Sequence, residues 1–143
     1  MLFAPALLLA AAQATMTPPL PAAPLAGQQS SPAPPPVAQD VDALTASPEN
    51  FRLILENDDV RVLEYTLLPG QKDRRHTHPQ RVAHVISGGQ LRVGFPDGTH
   101  RDFDEIAGTS EWSRASPLHD TQNIGTTPIK ILLVEVKHVS TEA

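Results

Sequence analysis

The chain predicts a single all-β domain preceded by a Pro/Ala-rich segment, and three observations carry that prediction. From about Phe51, short alternating segments rich in Val, Ile, Leu and Thr recur, the period-two pattern of half-buried strands. Gly, Pro and Asp turn signals separate them at roughly 8 to 12 residue spacing, the rhythm of a sandwich or barrel. Nothing between them reads as a long amphipathic helix.

The first piece is unlike the rest. Ten of the 15 prolines fall within the first 48 residues, whereas all 11 Lys and Arg residues lie at or after Arg52. Leu2 to Ala12 is an apolar run of 11 residues, too short for the roughly 20 that a membrane-spanning helix needs. It ends in Ala12-Gln13-Ala14, a small-x-small pattern of the kind a signal peptidase cuts. Residues 1–14 are therefore read as a signal peptide, which implies a periplasmic or secreted protein. An uncleaved leader leaves it cytoplasmic. Residues 15–48, composed mostly of Pro, Ala, Gln, Ser and Thr with Pro34-Pro35-Pro36, bury too little apolar area to offset chain ordering and are expected to form a disordered linker. The folded domain is placed at residues 49–138, with 139–143 as a tail.

Within the domain the expected strands run Phe51 to Leu55, Val60 to Leu67, Arg75 to His78, Val82 to Ile86, Leu91 to Phe95, Thr99 to Phe103, Glu111 to Arg114, His119 to Ile124 and Ile129 to Val136. Pro69-Gly70 suits a type II turn with Gly at positive φ, and Pro96-Asp97-Gly98 joins two alternating runs as a hairpin does. The last run, IKILLVEV, must be a central strand or lie at a subunit seam, because on an exposed edge it would aggregate.

Charge and length narrow the function. A net charge of −5 offers no basic field for a phosphate backbone, so nucleic acid is excluded as a partner. The absence of Cys removes thiolate nucleophiles, disulfides and thiolate metal ligands. A domain of about 90 residues buries a modest fraction of its surface, so pairing as a homodimer is expected.

The most specific feature is Pro69-Gly70, five further residues, then His76-Thr77-His78-Pro79. Histidines two apart on a strand share a face and make half a metal site. His119, three residues before Asn123-Ile124-Gly125, offers a third nitrogen from a distant strand.

With Gly70, His76, His78 and Gly89 spaced as in the first cupin motif, and His119 and Asn123 as in the second, the segment from Phe51 to Lys137 resembles the cupin family. Among small single-domain cupins it is most similar to those named for β-alanine degradation, through Leu55 to Val62, His76 to Pro79, Trp112, His119 to Gly125 and Val134 to Lys137. The resemblance implies a jelly-roll β-barrel in which His76, His78 and His119 hold one divalent transition metal, Fe, Mn, Ni or Zn, with dioxygenase- or isomerase-type chemistry on a small molecule, carboxylate-bearing by expectation. The family's metal-binding glutamate falls on Val82, which cannot ligate. Three neutral imidazoles then leave a formal +2 that favours an anionic ligand. The alternative is a non-catalytic ligand-binding or interaction cupin with a degenerate, metal-free site.

Remaining residues are assigned from alternation. If the strand from Val82 is regular, residues 82, 84 and 86 point into the barrel, which makes His84 a catalytic or proton-shuttle candidate. Val82, Trp112 and Asn123 are expected to line the pocket. Gln80, Arg81 and Gln122 lie near the metal positions in sequence and read as rim residues able to meet a carboxylate. Asp102, Asp104 and Glu105 read as a solvated acidic face.

Overall fold

The computed structural model describes residues 40–138. The expected signal peptide at 1–14, the part of the expected linker through residue 39 and the expected tail at 139–143 lie outside the described residues. Nine strands follow one short helix: α1 (Ala43–Ala46), β1 (Phe51–Glu56), β2 (Val60–Leu67), β3 (His76–His78), β4 (Arg81–Ser87), β5 (Gly89–Gly94), β6 (His100–Glu105), β7 (Ser110–Ser113), β8 (Ser116–Asn123) and β9 (Ile129–Val136). They form a five-stranded sheet in the order β1-β2-β9-β4-β7 and a four-stranded sheet in the order β3-β8-β5-β6. This is the jelly-roll architecture that the resemblance implies, within the sandwich-or-barrel class that strand count and turn spacing predict.

Alternation builds the core. In β9, Ile129, Ile131 and Leu133 are buried while Lys130, Leu132 and Val134 are only partly so. Leu63, Tyr65 and Leu67 of β2 do the same beside it. Removing each such aliphatic side chain from water is worth about 1.5–3 kcal/mol. Of the two expected positions, central or at a subunit seam, β9 takes the central one, between β2 and β4. Both turn glycines adopt the backbone that only glycine tolerates well, Gly70 at φ 77° and Gly98 at φ 85°.

The domain begins earlier than residue 49. Asp42 caps α1, its Oδ1 accepting from Thr45 N at 3.0 Å, and Ala43 is fully buried in the core. Val41 and Thr77 exchange hydrogen bonds, including Thr77 N to Val41 O at 2.8 Å. A four-residue helix has no apolar period to read, and its Ala and Thr match the composition of the segment before it.

A close backbone approach joins β4 to the end of β6. A Cβ on Gly88 would stand 2.1 Å from the carbonyl oxygen of Glu105 and 3.1 Å from Ala107 N, so neither chain can give way cheaply. Gly88→Ala is expected to cost about 1–3 kcal/mol, as overpacking does. The check is a lower urea midpoint at unchanged slope. An unchanged midpoint contradicts the contact.

Candidate metal centre

Two strands bring the three histidines together. β3 and β8 run antiparallel with His76 opposite His119, and the register shifts between His76 and His78 so that His78 lies opposite Ser116. All three are buried, at 1%, 5% and 6% exposure. One ring nitrogen of each lies within 4.8 Å of the other two. The rings are 4.6 to 5.6 Å apart between centres. The Phe51 ring meets His76 and His78 edge-on at 5.1 and 5.7 Å, forming an apolar wall beside them.

Each ring is held by the same nitrogen. His76 Nδ1 is 2.7 Å from Arg74 O, His119 Nδ1 is 2.7 Å from Pro117 O, and His78 Nδ1 is 2.7 Å from Glu135 Oε1. Carbonyl and carboxylate oxygens only accept, so Nδ1–H is the donor in every ring. The Nε2 lone pair is then the one left for a ligand. Fixing tautomer and ring angle in this way is how proteins prepare imidazole for a metal.

Protonation agrees. Burial pushes the His78 pKa down to about 4, although the Glu135 hydrogen bond opposes it. Burial also lowers that of His119, against the upward pull of the Pro117 carbonyl. Both are neutral and basic at pH 7, the form a cation requires.

Glu135, fully buried on β9, was not singled out from the sequence. Burial alone would raise its carboxyl, but the His78 hydrogen bond and the Arg61 guanidinium bring it below the usual carboxylate range. Arg61 Nε and Nη2 each reach Glu135 Oε2 at 2.7 Å, and Arg61 Nη2 also reaches Asp42 Oδ2 at 2.6 Å. A line of alternating charge thus runs from Asp42 near α1 to the back of His78. The available signal was parity: Glu135 shares a face with Ile129, Ile131 and Leu133, so it had to be buried and therefore paired.

A second buried cluster supports the other side. Asp73 Oδ1 accepts from Thr121 N at 2.6 Å, while Oδ2 accepts from Tyr65 OH at 2.8 Å and from the Thr121 hydroxyl. This ties the loop before β3 to β8, the two elements that must meet for His76 to face His119.

The histidines line an open cavity of about 200 Å³. Its wall corrects the expected phase of β4. Arg81, Ala83 and Val85 line it, whereas Val82 and His84 do not. The strand reads RVAHVIS, apolar at positions of both parities, so alternation alone does not say which set faces inward. His84 instead bonds Ser110 Oγ through Nδ1 at 2.8 Å and has no contact with the histidine cluster. Trp112 also faces away from the cavity, at 53% exposure. Asn123 is buried but outside the cavity. Its Nδ2 donates to Leu67 O and Thr127 O, and its Oδ1 accepts from Gly125 N, so it staples the β8–β9 turn.

Charge enters the cavity from residues that read as rim or surface. Arg81 donates to Ser116 Oγ at 2.8 Å, and its Nε is buried without a partner. Glu105 and Glu111 share the wall. Burial, then the neighbouring Glu111, raises the Glu105 carboxyl. Glu105 is thus no part of a solvated face, unlike exposed Asp102 and Asp104.

An acid limit follows for the metal-free protein. The folded pKa of His78 lies below its unfolded value of 6.5, so the unfolded chain binds more protons and stability falls as pH drops from 6.5 toward 4. Glu135, also lowered, adds loss in the same direction below its ordinary 4.5. Urea midpoints measured with chelator are expected to fall steadily across that window. A flat profile contradicts a neutral buried His78.

No family model matches the chain, and no curated protein matches it. Solved structures do. A cupin domain from Bordetella pertussis Tohama I superposes with TM-score 0.57 at 22% identity, over 62% of this chain and 92% of that one. An RmlC-like cupin family protein with a double-stranded β-helix fold, from Methanocaldococcus jannaschii, superposes with TM-score 0.50 at 13% identity, over 78% and 93%. These likenesses establish the fold.

Proposed function

We propose that this cupin-fold chain binds one divalent transition metal through Nε2 of His76, His78 and His119 and acts on a small organic acid in the adjoining cavity. The observation that carries the reading is the common anchoring of the three rings by Nδ1, which leaves Nε2 of each ring free of its anchor. The donor set fits Zn, Fe, Mn or Ni, all of which take imidazole. A bound ion supplies Lewis acidity and open coordination positions.

The residues of the chain do the rest. Phe51, Ala83, Val85 and Leu91 line the cavity with apolar surface and limit it to a small molecule. Arg81 gives a carboxylate its counter-charge from the wall. Glu105, its carboxyl pushed up by burial, is the wall residue fit to hold and move a proton, the role that His84 is turned away from.

Calorimetric titration of short carboxylates into the full-length, metal-loaded protein tests this reading. Arg81→Gln is expected to weaken binding about 10- to 100-fold, the value of a charge-assisted hydrogen bond, with metal content unchanged. Oxygen uptake separates turnover from binding alone. Failure of every carboxylate to bind the loaded wild type removes the substrate class.

A further inference from the structure

The two sheets have unlike outer faces. On the four-stranded sheet, the outward rows are Asp120, Gly94 and His100, then Gln122, Arg92 and Asp102. That face is polar, with Lys72 on Asp120 at 3.0 Å and Arg92 on Asp102 at 2.7 Å. On the five-stranded sheet, one row crosses every strand: Leu55 is opposite Val62, Val62 opposite Val134, Val134 opposite Val82, and Val82 opposite Trp112. Residues directly opposite in antiparallel strands share a face. This one is outward, because Val62, Val134 and Val82 each alternate with residues turned inward, and the two ends, Leu55 and Trp112, are both 53% exposed.

We propose that this face is where a second copy of the chain docks. Strands that are apolar on both sides are the mark of sheets covered on both sides. Four features select a second copy as the cover. The row is centred on β9, the third of five strands, so a two-fold axis between the faces and parallel to β9 sets Val134 on Val134. The same axis sets each Leu55 on the partner's Trp112, a self-complementary contact.

Charge permits it as well. None of the five residues of the row is charged; beside it Glu64 takes both Arg52 at 3.2 Å and Lys130 at 3.5 Å, which leaves one net positive charge per copy off the row. The area suffices too: five strands about 4.8 Å apart and some 20 Å of their length give roughly 500 Å² per copy. Two copies reach the threshold of about 1,000 Å² for a specific interface.

Trp112 is the single tryptophan of the chain and reports on the contact. Full-length protein is expected to sediment at twice 15.4 kDa, with Trp112 emission moving to the red on dilution. Leu55→Lys and Trp112→Lys, both at exposed ends of the row, are expected to halve the mass while circular dichroism stays native. Asp104→Lys, on the polar sheet, leaves the dimer intact. A wild type that is monomeric at 100 µM, by estimate well above the Kd of a specific interface of this size, overturns the proposal. So does a dimer that survives both lysine variants. A monomer whose Trp112 emission is already blue at every dilution also overturns it, since the N-terminal segment of the same chain then covers the face.

Discussion

A chain carrying His76→Ala and His78→Ala is expected to purify without metal from medium in which the tag-free wild type acquires one divalent ion per chain. Two of three ligands are gone, and the remaining His119 cannot hold an ion alone. Because metal binds the folded state, adding Zn(II), Mn(II), Ni(II) or Fe(II) at 100 times its dissociation constant should stabilise the wild type by about 2.7 kcal/mol. The double variant should show no shift. Both rings are buried and anchored through Nδ1, so part of any stability loss comes from packing. The change in response to metal, not stability itself, is therefore the diagnostic quantity. Retention of one ion per chain in the double variant would falsify the centre.

The second large effect lies one step behind the ligands. Glu135→Ala strips His78 Nδ1 and Arg61 of the same carboxylate, deep between the sheets, where Glu135 has a side-chain exposure of 2%. Breaking a buried pair leaves an uncompensated charge and costs about 3–5 kcal/mol, a large share of the 5–15 kcal/mol typical of a domain. Loss of the group that orients a metal-binding histidine should also weaken metal binding about 10- to 100-fold. Glu135→Gln keeps an acceptor for Nδ1–H and is expected to recover most of the orientation but not the pairing with Arg61. Denaturation in urea and competition with a metallochromic chelator read the two effects separately. A loss below 1 kcal/mol together with unchanged metal affinity would remove Glu135 from the site.

Both effects act on residues that differ in how visible they are in the sequence. His76, His78 and His119 can be read there because two of them sit two apart on a strand and their spacing to glycines is unusual. Glu135 stands in an apolar strand without any partner nearby in sequence; Arg61 is 74 residues away. Its importance comes from a pairing of β2 with β9 that aligns Arg61 opposite Glu135. The parity of β9 carries the signal that it is buried, yet not what it touches.

The case of β4 is different. In β2, Leu63, Tyr65 and Leu67 alternate with Glu64 and Thr66, so its inward residues follow from alternation alone. In β4, Val82, Ala83, Val85 and Ile86 leave both faces apolar, so alternation cannot choose between them. A one-residue slip moves every side chain to the opposite face. In the folded chain the inward set is Arg81, Ala83 and Val85, which leaves Val82 and His84 outward. The same outer apolarity that defeats the parity argument is what marks the face as covered.

By itself, then, the sequence determined the β class, the covered position of Ile129–Val136, the glycine turns and the identity of the three imidazoles. Each of these depends on local periodicity or on residue chemistry that no partner can change. Only the tertiary structure decided which face of β4 looks inward, which carboxylate stands behind His78, and that Asp42 and α1 belong to the domain. Those are settled by register and by pairing between strands far apart along the chain, where the free energy of burying or matching a group depends on a neighbour that the local sequence does not contain.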